Sequence, residues 1–84
     1  MIDLDDKLII QILESLSEAF PNYVWPAQIL PEHNDRNEID KHLVYCKGHG
    51  WMELGETAMS DGSVRLGQTR ITSSGIDYLR EKSK

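Results

Sequence analysis

Leu8, Ile9, Ile12, Leu13, Leu16 and Phe20 recur at three- and four-residue spacing near the start of the chain, with Lys7, Gln11, Glu14, Ser15 and Glu18 between them. An α-helix brings residues three and four apart onto one side. The spacing therefore predicts an amphipathic helix from Asp3 to Phe20, with Asp3 offered as N-cap and Asp6 as first-turn charge. Pro21 cannot continue the ladder and stops it. Tyr23-Val24-Trp25 has the β-branched and aromatic content of a short strand. Pro26 then suits the first position of a second helix, Ala27 to about Glu32, burying Ala27, Ile29 and Leu30.

Beyond the turn His33-Asn34-Asp35, Ile39, Leu43 and Cys46 form the inward stripe of a third helix, Arg36 to about Lys47, which Asn34 or Asp35 can cap and Gly48 and Gly50 bracket. Trp51-Met52-Glu53-Leu54 reads as extended. Asp61-Gly62 between Met59-Ser60 and Ser63-Val64 is the strongest hairpin signal in the chain. A two-residue turn there pairs Met59 with Val64, Thr57 with Leu66, Glu53 with Arg70 and Met52 with Ile71, setting an acid opposite a base. A last helix follows, capped by Ser73 or Ser74, with Ile76, Leu79 and Tyr78 turned inward. No repeat or low-complexity segment interrupts this order, so the 84 residues read as one α+β domain.

The order helix, short strand, helix, helix, hairpin, helix is that of a winged helix-turn-helix. Ile39 to Leu54 resembles the stretch of winged-helix proteins where the third helix ends, a glycine (here Gly50) follows and the first wing strand begins. Ile71-Thr72-Ser73-Ser74-Gly75-Ile76-Asp77-Tyr78-Leu79 is similar to the joint after the wing in regulators of the MarR and PadR kind, and in small winged-helix proteins of bacteria and phages. The resemblance covers roughly Tyr23 to Leu79, and its motif residues are largely architectural. It implies a DNA-binding transcriptional regulator, a homodimer on DNA, whose third helix enters the major groove. The dimerisation helices that flank the core in those regulators are not present, and the first helix is unusually acidic.

With Ile39, Leu43 and Cys46 inward, Asn37, Lys41 and Val44 point outward, while Arg36, Asp40 and Lys47 lie on one flank. Asparagine can pair with adenine, and lysine or arginine with guanine or phosphate. The expected DNA contacts are therefore Arg36, Asn37, Lys41 and Lys47, joined by Arg65 near the tip of the wing. Asp40, Glu56 and Asp61 would repel phosphates. The net charge of -5 conceals a gradient, because Asp3, Asp5, Asp6, Glu14 and Glu18 face only Lys7 in the first helix, whereas charges balance from His33 onward. This charge keeps a second function open: a protein-interaction module on an acidic winged-helix scaffold, using the first helix or the aromatics Tyr23 and Trp25. Against that use, both aromatics fit packing over the first helix.

No catalytic role is expected, since the sequence has no Gly-rich loop before a helix, no triad setting and no paired carboxylates at an evident pocket. His42, Cys46 and His49, with His33 as a fourth, have metal-compatible spacing, but the core stripe claims Cys46 and neither metal nor cofactor is expected. A single cysteine precludes an intramolecular disulfide. The longest apolar run is Leu8-Ile9-Ile10 and no charged-then-hydrophobic leader precedes it, so the expected setting is the cytoplasm, without a membrane span.

Overall fold

The computed structural model describes residues 4–82. They form an α+β unit: helix α1 (Asp6–Ala19), a 3-10 turn (Pro26–Gln28), helix α2 (Arg36–Gly48), an antiparallel hairpin of β1 (Met52–Ala58) and β2 (Val64–Ile71), and helix α3 (Ser73–Lys82). Asp5 rather than Asp3 caps α1, its carboxylate accepting from the backbone N–H groups of Lys7 (2.9 Å) and Leu8 (3.4 Å); Asp3 lies outside the described residues. Asp35 caps α2 by accepting from Glu38 N–H. Tyr23-Val24-Trp25 pairs at one residue, the antiparallel bridge of Val24 with Thr69, as a strand this short requires no more than one or two residues of pairing.

One core joins these elements. Leu8, Ile9, Ile12, Leu13 and Leu16 of α1 meet Ile39, Leu43 and Cys46 of α2, Met52, Leu54 and Ile71 at the hairpin base, Ile29 and Leu79. His42 is also buried, one position off the predicted stripe. Its Nδ1 lies 2.7 Å from the Glu38 carbonyl and its Nε2 2.9 Å from the Asp5 backbone nitrogen. Only the tautomer with hydrogen on Nδ1 serves both partners, so His42 donates within α2 and accepts from the start of α1.

The predicted second helix, Ala27 to Glu32, is instead the single 3-10 turn. Continuing it would need N–H donors at Leu30, Pro31 and Glu32, yet Pro31 has none and disfavours helical backbone at the residue before it. Leu30 accordingly sits at φ 46°, in the left-handed region. Four carbonyls between Pro26 and His33 are gathered by Arg36, whose guanidinium donates to Pro26 O (2.8 Å), Ile29 O (2.9 Å), Leu30 O (2.8 Å) and His33 O (3.4 Å). An arginine fork replaces a helical turn.

The hairpin departs from the predicted register in its outer half. Met52↔Ile71 and Glu53↔Arg70 pair as expected, but nearer the tip Glu56 pairs with Leu66, Thr57 with Arg65 and Ala58 with Val64. The turn is the cause. Its loop is the three residues Ser60-Asp61-Gly62, closed by Met59 N–H donating to Ser63 O (2.8 Å), with Gly62 at φ 90°. Asp61 fixes it by accepting from the Ser63 backbone (3.0 Å) and hydroxyl (2.6 Å), bonds that hold its carboxyl below the usual carboxylate range. A three-residue loop and the burial of Leu54, Thr69 and Ile71 demand registers one residue apart. A bulge reconciles them, with Gly67 and Gln68 opposite Gly55 alone.

At the far end, Thr72 rather than Ser73 or Ser74 caps α3, accepting from Gly75 N–H (3.1 Å) while its hydroxyl donates to Gly50 O (2.5 Å). A Cβ on Gly75 would stand 2.1 Å from the Trp51 carbonyl oxygen and 2.7 Å from Ile71 Cγ1, so only glycine lets α3 lie this close. Trp51 is stacked between His49 (ring centroids 4.5 Å) and Tyr78 (4.0 Å), with Tyr45 edge-on to His49.

Candidate functional site

The five residues expected to contact DNA do not form one surface. Arg36, expected to contact DNA, is committed to four backbone carbonyls, which gives it a structural role. Lys47 is on the outer side of α2 with its ammonium 3.3 Å from the carboxylate of Glu56 of β1. Asn37 and Lys41 are exposed on α2 as expected. Arg65 is exposed too, but the bulge decides where it looks. Directly paired residues share a face of a hairpin and successive residues alternate. Glu56, Leu66 and Val64 therefore face α2, and Thr57 and Arg65 face the other way.

What the bulge turns toward α2 is apolar. Val64, 54% exposed, and half-buried Leu66 stand beside Val44, 43% exposed, and with Asp40 and Lys41 they line a shallow groove of about 290 Å³. The rim carries opposite charges on consecutive residues of α2. Partial burial raises the Asp40 carboxyl above its usual range, and the Arg36 charge pulls it only partly back. Neither Asp40 nor Lys41 has an ion-pair partner among the described residues. Val44 was legible as an outward residue of α2. Val64 and Leu66 were not, because their facing depends on a bulge that no local signal announces apart from Gly55 and Gly67.

Two other candidate surfaces lie elsewhere on the domain. Tyr23 and Trp25, expected to pack over α1, are 46% and 52% exposed. Tyr23 lies under the Arg70 guanidinium (4.7 Å to the ring centroid) with its hydroxyl 3.4 Å from Glu53, the residue Arg70 also engages through Nε (2.8 Å). The predicted Glu53–Arg70 tie is thus present, with a tyrosine added. On the acidic side, Glu14 and Glu18 of α1 face Glu32 and His33 across an open cleft of about 600 Å³, and His33 is paired with Glu38 (3.1 Å).

The residues weighed for metal binding are drawn apart. His42 uses both ring nitrogens inside the protein, His49 stacks on Trp51, and Cys46 is fully buried with its thiol pushed up to about 12 by desolvation. No group of three or more potential ligands is assembled among the described residues. No helix among them is long and apolar enough to cross a membrane. Comparison with protein families, with curated proteins and with solved structures finds no match to this chain.

Proposed function

We propose that this chain is a winged-helix variant serving as a non-catalytic protein-interaction module, in which α2 stands for the recognition helix and the β1–β2 hairpin for the wing. The observation that carries the reading is the apolar groove of Val44, Val64 and Leu66 at the place where a phosphate-binding face would concentrate cations. Apolar side chains released from water on contact supply a driving force of about 25 cal/mol per Å², whereas phosphate binding scales with the number of cations engaged. On this face Lys41 is, among the described residues, the cation left without an internal partner, since Arg36 and Lys47 are held and Arg65 faces away. Site-specific photocrosslinking tests it in cells that make the chain. A benzophenone amino acid at position 64 is expected to give a protein adduct that Val44→Asp removes, and the same probe at position 65, on the opposite face, none. Absence of an adduct at 64, or equal adducts at both positions, overturns the proposal.

A second reading, duplex DNA binding with a role in transcription, is favoured by one observation: Asn37, Lys41 and Val44 are all exposed on α2. Asparagine suits adenine, lysine suits guanine or phosphate, and valine suits the thymine methyl. Titration of labelled duplex decides it. Saturable binding at about 50 mM salt that weakens steeply with salt and is lost in Lys41→Glu would establish DNA as the ligand.

A further inference from the structure

We infer that the partner of the α2–wing groove is a second copy of this chain, packed across a two-fold axis; the inference rests on the protein-binding reading of that face. A two-fold interface must be complementary to itself, so that each group meets its counterpart's partner. The groove meets this requirement in both of its chemical components. Its apolar floor, Val44, Val64 and Leu66, is matched by an identical apolar floor. Its rim carries Asp40 and Lys41, which cannot neutralise one another because consecutive residues of a helix point about 100° apart. Antiparallel crossing of two α2 helices between these residues sets Asp40 of each copy against Lys41 of the other and places the two Val44 side chains about one turn to either side of the axis. Two charges left without an internal ion pair become two intermolecular pairs beside a dry apolar strip.

The alternatives fit less well. A polyanion would meet Asp40 and Glu56 together with Lys41, and a basic partner would meet Lys41 and Lys47. A surface bearing both signs in equal number matches a surface bearing both signs, and the copy nearest in supply is the chain itself. The face is one side of a 13-residue helix and one side of a short hairpin, at the small end of specific interfaces, so the dimer is reversible and concentration-dependent.

Sedimentation equilibrium of the full chain from about 10 µM to 1 mM tests this. The wild type is expected to shift from monomer toward dimer, and Lys41→Asp and Asp40→Lys each to weaken association about tenfold or more by facing like charges. Circular dichroism confirms that each variant stays folded, as both side chains project from the outer half of α2. Mixing the two variants in equal amounts is expected to restore association as a heterodimer, because one variant then brings only carboxylates, and the other only ammonium groups, to both contacts. A wild type that stays monomeric to the highest concentration, single reversals that leave the dimer intact, or folded variants that do not associate on mixing would each overturn the inference. The crosslinking separates the two claims. An adduct of twice the chain mass supports both, an adduct with a different protein keeps the docking face and removes self-association, and no adduct removes both.

Discussion

Arg36 separates a structural from a ligand-binding role by a measurement of stability. Its guanidinium holds three carbonyls at 2.8–2.9 Å and a fourth at 3.4 Å, all between Pro26 and His33. Bonds from a charged donor contribute about 1.5–3 kcal/mol each when dry, but the side chain is half-buried and water can replace part of that. About 1 kcal/mol for each of the three short bonds is the appropriate scale. Against this, a cation in the first turn of α2 opposes the helix dipole, and removing it returns about 0.5 kcal/mol. Arg36→Ala is therefore expected to destabilise the domain by about 2–3 kcal/mol, out of a total of roughly 4–13 kcal/mol for a chain of this size. The transition temperature should fall by about 10–20 °C. Arg36→Lys, which keeps the charge but not the fork, should recover less than half. Urea unfolding followed by tryptophan emission gives the free energies, and amide exchange at Ile29 and His33, whose N–H groups close the turns at Pro26 and Leu30, should accelerate selectively. A loss under about 0.5 kcal/mol, or full recovery by lysine, would refute the fork as the organiser of this segment.

Gly75→Ala should destabilise by about 1–3 kcal/mol despite the better helix propensity of alanine, because the new Cβ must push α3 off the Trp51 carbonyl; equilibrium unfolding measures it. Cys46 holds its proton more tightly folded than unfolded, so its contribution is fully present below the unfolded thiol value near 9 and is lost as pH rises toward about 12. Urea midpoints at pH 8 and pH 10 should show about 1 kcal/mol of alkaline loss that Cys46→Ala abolishes. Among the described residues one cation on the α2 face, Lys41, has no ion-pair partner, so titration with duplex DNA should show no saturable binding at about 50 mM salt, and a log–log salt slope of about -2 or steeper would contradict that count.

How far the sequence was legible depended on whether the deciding signal was local. The periodicity of α1 and α2, the proline stop after Phe20 and the Glu53–Arg70 pairing are set by neighbours within a turn or directly across the hairpin, and all are present. Pro26 invites a second helix that does not form, because the block comes from Pro31 and the consequence is resolved by Arg36, ten residues from the first carbonyl it bonds. His42 has metal-compatible spacing in the sequence, whereas its buried acceptor role depends on Asp5, which is 37 residues away. The candidate site was half visible. Asn37, Lys41 and Val44 follow from helix phase alone, but the outward turn of Arg65 and the inward turn of Val64 and Leu66 follow from a conflict between a three-residue loop and a buried base pairing. One bulge reverses which side chains the hairpin shows to α2, and with it the chemistry of the face.

That reversal can be observed directly. Nuclear Overhauser contacts in the full chain report which hairpin side chains stand next to α2: methyl-to-methyl contacts from Val44 to Val64 and Leu66, together with cross-strand contacts between Thr57 and Arg65, are the predicted result. Contacts from Val44 to the Arg65 methylenes, with Thr57 paired to Leu66, would place a cation beside α2, remove the apolar groove and return the face to a phosphate-binding role.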